Sequence, residues 1–233
     1  MSYTTWTSRA VASEAVPWMG AVWRLVESQH VASTMKLVDS LDEQLVLERL
    51  LDEAKPRVPH DVSHLHVLMS TPFRYPPPLG GSRFRGETDP GVFYGAEEVS
   101  TCCAEVGHWR LRFLHDAVDL THIDPVRHTA FRVRLNTTSI DLRDGAFEAN
   151  RADWEHPDSY VATQFLSRSV REAGIGCIRY RSVRDPNGGG CAAVVDPAAF
   201  ERTQPEQETR QLWLSVGDRG AFWREGWTVN ARR

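Results

Sequence analysis

Residues 81–113 read GSRFRGETDPGVFYGAEEVSTCCAEVGHWRLRF. The glycine-rich opening predicts a loop, GVFYGA (91–96) a short strand, and Glu97 onward a helix. On that helix Val99, Cys103, Val106, Trp109 and Phe113 recur at spacings of three and four, which puts them on one inward face. Loop, strand and helix present Arg83, Tyr94 and Glu105 in turn, each eleven residues from the last.

Upstream, AVWRLVE (21–27) reads as a strand with Arg24 at its centre. Ser40 to Glu43 form a capping box that opens a helix in DSLDEQLVLERLLDEAK (39–55). There Leu41, Leu45, Val46, Leu50 and Ala54 make a stripe near helical period, and Pro56 stops it. Residues 56–90, with YPPPLGG, read as loop. Downstream, TAFRVRLNTTSIDLR (129–143) is strand-like, and Ser159 caps a helix over 160–173 that Gly174 closes. GCIRYRS (176–182), GCAAVVD (190–196) and QLWLSV (211–216) are further strands.

Strands and helices mix without a regular βαβ rhythm, so the expected class is α+β rather than a doubly wound sheet. One domain is expected over 1–233, with a core at about 20–196 and extensions at both ends. The tail from Phe200, with Trp213, Trp223 and Trp227, is either added sheet or a partner surface.

Composition narrows the function classes. The chain has 233 residues, 41% hydrophobic and 25% charged, which suits an ordinary globular core. A net charge of −4 argues against direct nucleic-acid binding, which needs a basic face. The N-terminus lacks a basic region followed by an apolar run, and no stretch of 18 apolar residues exists, so neither a secretory signal nor a membrane span is expected. Cys102, Cys103, Cys177 and Cys191 have no C-x-x-C spacing and read as small buried thiols in a reducing, cytoplasmic setting. His60, His64 and His66 cluster, but only Asp61 joins them, so no metal site is expected. No G-x-G-x-x-G follows a strand, and Gly188 to Gly190 read as a turn rather than a phosphate cradle.

Five residues suggest a site when read together, although singly Glu105 reads as a solvated helix position, Arg83 as a surface arginine, Tyr94 as a core aromatic and Ser182 as a turn serine. Glu105 is a charge among small residues in CCAEVG, and Arg24 is the only charge in AVWRLV, where burial without a partner is costly. Arg83 follows a glycine-rich loop, Tyr94 ends an apolar strand, and Ser182 closes RYRS before a DPNGGG turn. Arginines hold a pyrophosphate by bidentate bonds, an aromatic ring stacks on a flat base, and a hydroxyl bonds a carboxamide. A carboxylate stabilises positive charge that develops on a sugar. A nicotinamide dinucleotide asks for all four.

VWRLVE, GSRFR, GVFYGAEEVSTCCAEVG and SYVATQFLSRSVREAGIGCIRYRSVRDPNGGGCAAVVD together resemble the RES domain family, named for its Arg, Glu and Ser. The resemblance implies a fold similar to ADP-ribosyltransferase toxins, a split, mixed β core with flanking helices around an NAD cleft. It implies a toxin of a bacterial Xre–RES toxin–antitoxin pair that consumes NAD⁺ by hydrolysis or phosphorolysis, or transfers ADP-ribose to a protein. On that reading Glu105, Arg24 and Ser182 are catalytic, Arg24, Arg83, Tyr94 and Ser182 bind NAD⁺, and no cofactor beyond this substrate is needed. The implied partner is a small, helical, DNA-binding Xre-type antitoxin that blocks the cleft. A non-catalytic partner-binding module is the alternative of another class, and the oligomeric state, a homodimer included, stays open.

Overall fold

The computed structural model describes residues 6–28 and 40–226. Helix α1 (Ser8–Ser13) begins where Thr7 Oγ1 accepts the Ala10 N–H at 3.3 Å. Strand β1 (Val16–Glu27) starts five residues before the predicted AVWRLVE stretch. Pro17 and Gly20 hide that extension in the sequence, but Gly20 is needed, since a Cβ there would lie 2.5 Å from the Trp18 ring.

Helix α2 (Leu41–Glu53) opens as the capping box predicts, with the Glu43 N–H on Ser40 Oγ at 3.2 Å. Its apolar stripe faces solvent, however: Leu41 is 72% and Leu50 56% exposed, and the buried side chain is Gln44. Periodicity establishes that a helix has an apolar face, not that a neighbour covers it. Asp39, at the head of that predicted segment, lies outside the described residues.

Residues 56–90 are not all loop. A 3-10 turn at His60–Val62 leads to helix α3 (Val67–Arg74), which His66 caps by accepting the Leu68 N–H on Nδ1 at 3.3 Å. Pro72 lies inside α3, which argues against a helix locally. Burial of Met69 and Phe73 against Val62, Leu65 and Phe93 overrides it.

Strand β2 (Phe93–Ala96) and helix α4 (Val99–Asp116) follow as expected. Val99 and Cys103 are buried as the α4 stripe predicts, but Trp109 and Phe113 are 45% and 56% exposed. Their places inside are taken by Cys102, Gly107 and Leu114, because α4 packs on β1 with one flank and on the C-terminal hairpin with the other. Strand β3 (Ile123–Asp141), the short helix α5 (Arg151–Trp154) and helix α6 (Val161–Glu172) come next. The N-cap of α6 is Tyr160 rather than Ser159 and makes no side-chain capping bond, whereas Gly174 takes the expected left-handed φ of 68° after its end. Strands β4 (Cys177–Arg181), β5 (Gly190–Val194), β6 (Thr209–Gly217) and β7 (Gly220–Glu225) complete the chain, and β7 was not foreseen.

The seven strands run in the order β1-β2-β5-β4-β3-β6-β7, and β1 also pairs with β3 along its whole length. The first five therefore close on themselves, and the β6–β7 hairpin extends one side. Among the described residues only β3 and β4 pair in parallel, over Ser139 to Asp141, so the sheet is mixed and splits where the long β3 passes from β6 to β4. Both faces of the sheet are covered. One packs on α1, α4 and α6 through Trp23, Leu25, Ile140 and Tyr180, the other on α3 through Val22, Phe93, Phe131 and Val133. Coverage of both faces explains why VWRLV lacks strict alternation. The class is α+β with flanking helices, as expected. Trp223 of the tail donates its Nε1–H to the Cys103 carbonyl at 3.1 Å and so serves as added sheet packing, while Trp227 lies outside the described residues.

Candidate active site

Beside α4 and above β1, β2 and β5 lies a cavity of about 360 Å³. That volume falls in the usual range for small-molecule sites, roughly 300–1,000 Å³. Gly95 and Ala96 form part of its floor, and no larger residue fits at Gly95, where a Cβ would meet Val22 at 2.7 Å. Arg24, Arg83, Arg184, Tyr94 and Glu105 all face it, with Trp109 and Tyr160 among the remaining aromatic lining. Among the described residues that line it, Glu105 is the one acid against three arginines.

Glu105 sits midway along α4, and its Oε1 accepts the Ser182 hydroxyl at 2.5 Å. The Ser182 side chain is buried and is not part of the cavity lining. Its oxygen accepts the N–H groups of Arg184 (3.2 Å) and Asp185 (3.0 Å), which leaves the single hydroxyl proton for Glu105. One helical turn before Glu105, Thr101 donates to Asp185 Oδ2 at 2.7 Å. Burial opposes the Asp185 charge, but hydrogen bonds from Thr101 and from the Asn187 and Gly189 backbone outweigh it and hold its pKa below the ordinary value. Helix α4 thus grips the 182–189 turn at two points, and one of them is the candidate carboxylate.

That grip requires Gly189, since a Cβ there would lie 2.1 Å from Thr101 Oγ1 and 2.6 Å from Asp185 Oδ2. The GGG run only begins in the expected turn: the Gly188 N–H closes it on the Asp185 carbonyl at 2.8 Å, and Gly190 already belongs to β5. Gly189→Ala is expected to cost about 1–3 kcal/mol of stability through overpacking, read as a lowered Tm. An unchanged Tm would mean that the turn relaxes freely.

Arg24 is half-buried in β1, and its Nη1 donates to the Tyr94 carbonyl at 2.7 Å. Its Nε has no hydrogen-bond partner among the described residues, and its guanidinium lies 4.9 Å from the Phe93 ring centroid. Burial pulls its pKa from 12.5 down to about 10, so it stays charged at neutral pH. A half-buried cation with no acidic partner among the described residues, on the wall of a cavity, is a place for an anion.

Arg83 donates from Nη1 to the carbonyls of Trp154 (2.9 Å) and His156 (3.0 Å) and stacks over Tyr160 at 4.9 Å. The Tyr94 ring lines the cavity while its hydroxyl accepts the Phe84 N–H at 2.9 Å and shares a hydrogen bond with Ser82 at 2.9 Å. Tyr94 thereby holds the loop that carries Arg83, and burial raises its pKa. The structure brings Arg24, Arg83, Tyr94 and Glu105 to one cavity, with Ser182 immediately behind Glu105.

Arg184 escaped the sequence reading because it stands in SVRDPNGGG, where an arginine looks like an ordinary turn residue. Its place two residues after Ser182 is the signal that could have found it. All four cysteines are free and buried. Burial pushes the Cys102 thiol up to about 12 and Cys103 up to about 11, which makes both poor nucleophiles. Among the described residues no group of three or more His, Cys, Asp or Glu is placed to hold a metal ion, and no helix is long and apolar enough to cross a membrane.

No curated protein matches the chain in sequence. Among solved structures, it is similar to a chain of the M. tuberculosis MbcT–MbcA toxin–antitoxin complex, with a TM-score of 0.51 and 11% identity over 89% of this chain and 92% of that one. The RES domain family pattern matches residues 56–215. That span holds Arg83, Tyr94, Glu105 and Ser182 and leaves Arg24 outside, although the fold carries Arg24 into the same cavity. By this match over more than half its length, the chain belongs to the RES domain family.

Proposed function

We propose that this chain is the toxin of a toxin–antitoxin pair and cleaves NAD⁺ at the bond between nicotinamide and ribose. One observation carries the reading: the only acid among the described residues that line a cavity with three arginines receives the sole proton of a buried serine hydroxyl. Arg24 and Arg83 hold the pyrophosphate, and the Tyr94 ring packs on the nicotinamide. As the glycosidic bond breaks, its electron pair leaves with the nicotinamide and neutralises the pyridinium. Positive charge then develops on the ribose, and the Glu105 carboxylate stabilises it more strongly in the transition state than in the ground state. Water or phosphate attacks the ribose carbon, and the proton it loses passes to solvent. Ser182 in this scheme aims Glu105 instead of bonding the carboxamide, because its proton is already committed.

The partner is an antitoxin that covers the cleft mouth. Exposed Trp109 on the cavity wall, with exposed Phe113 one turn further along α4, suits a protein surface, and the similar solved structure is a toxin–antitoxin complex. Acidic groups or a terminal carboxylate on the partner would pair with the arginines.

Incubation of purified, partner-free protein with NAD⁺ is expected to release nicotinamide. Free ADP-ribose marks hydrolysis, ADP-ribose-1-phosphate in phosphate buffer marks phosphorolysis, and a labelled protein marks ADP-ribosyl transfer. Expression of the chain alone is expected to lower cellular NAD⁺ and arrest growth, with relief by Glu105→Ala. Normal growth and unaltered NAD⁺ despite soluble protein would overturn the toxin reading and favour a non-catalytic binding module.

A further inference from the structure

Helix α6 carries Gln164, Arg168 and Arg171 at spacings of four and three, which places them along one edge of the helix. All three reach the segment that follows the YPPP run. Arg168 Nε pairs with Asp89 Oδ1 at 3.0 Å, and Asp89 Oδ2 accepts the Gly86 N–H at 2.7 Å. Arg171 Nη2 donates to the carbonyls of Pro90 (3.2 Å) and Gly91 (3.0 Å).

Gln164 makes the most demanding contact. Its Nε2 faces the carbonyls of Gly80 (3.1 Å), Ser82 (3.0 Å) and Arg85 (3.3 Å). These converging oxygens repel one another unless a donor lies between them, and an amide supplies two N–H groups for the three. The loop is shaped around that donor. Gly81 has φ +76°, and a Cβ there would lie 2.9 Å from Gln164 Nε2. Ser82 and Arg85 exchange backbone hydrogen bonds at 2.7 and 3.1 Å, so the turn that presents Arg83 is closed directly on the amide. On the opposite side the Tyr94 hydroxyl holds Phe84 and Ser82. Arg83 therefore stands on a turn fixed from two sides.

We infer that Gln164 is a positioning residue. Gln164 does not itself line the cavity, but through Ser82, which does, it sets where the Arg83 guanidinium stands and so how tightly the cleft holds a pyrophosphate-bearing ligand. The inference rests on the cleft being a dinucleotide site, and its test separates the two. Gln164→Glu sets lone pairs against three carbonyls, whereas Gln164→Lys keeps donors at the same place. Without ligand, the amides of residues 82–86 are expected to exchange with solvent about tenfold faster or more in the Glu variant and near the original rate in the Lys variant. With NAD⁺, the Glu variant is expected to bind about tenfold more weakly, as misplacement of a binding group does, while kcat stays within a few-fold and Tm moves little. The Lys variant is expected to restore binding.

Original exchange rates in the folded Glu variant would overturn the inference, as would fast exchange with unchanged affinity. Should the parent protein neither bind nor cleave NAD⁺, the functional reading falls. Gln164 is then judged by exchange together with the affinity for inorganic pyrophosphate, in which the same loss in the Glu variant supports it and equal affinity overturns it.

Discussion

Glu105→Gln is expected to lower NAD⁺ turnover by roughly 10²–10³-fold, the usual effect of removing one aimed electrostatic group. The substitution is close to a pure removal of charge. The amide oxygen can still accept the Ser182 hydroxyl, and the backbone N–H groups of Arg184 and Asp185 keep that hydroxyl pointed at it. An interaction made chiefly in the transition state lowers kcat and kcat/KM together, whereas a ground-state contact would raise KM alone. Unchanged turnover in a folded Gln variant would remove Glu105 from the mechanism.

Arg24→Met is expected to separate stability from binding. The fall of the Arg24 pKa from 12.5 to about 10 corresponds to about 3 kcal/mol. For a base held below its ordinary value this is a cost of folding, fully present below pH 10 and gone above about 12.5. Methionine fills a similar volume without a charge to desolvate, so the ligand-free variant should melt higher than the parent. The same variant should bind NAD⁺ roughly 30-fold or more weakly, the equivalent of 2 kcal/mol or more for a lost buried charge contact. Lysine should rescue poorly, because it lacks the bidentate fork. Wild-type affinity of the Met variant by calorimetry would make Arg24 structural.

Two of the five candidate residues have chemistry that clashes with their neighbourhood, whereas Arg83, Tyr94 and Ser182 rest on the family resemblance. Arg24 is a charge inside an apolar strand, and Glu105 a charge among small helix residues, so both carry a local signal. Arg184 carries only its nearness to Ser182, and Gln164 carries none. Each looks like a solvated residue in its own segment, and only the approach of α4 to the 182–189 turn, or of α6 to the 80–91 loop, gives it a part. The same limit explains the fold. Strands in VWRLV and GCAAV follow from apolar content, and α2 follows from its cap. Helix α3 forms against a local proline because it buries Met69 and Phe73, and Leu41, Leu45 and Leu50 of α2 are exposed, an outcome that periodicity alone does not decide.

The pairing of β1 with β3 also has a consequence for synthesis on the ribosome. Arg24 emerges early, yet its backbone partner is Phe131, and the cavity also needs Tyr180 and Cys191. At 5–20 residues per second, roughly ten to thirty seconds separate the appearance of Arg24 from that of Cys191. During that interval the nascent chain carries the arginine but no cleft. Chains cut short by premature termination before β5 lack the cleft for the same reason. The arginine gains its site only once the chain through Cys191 has left the ribosome.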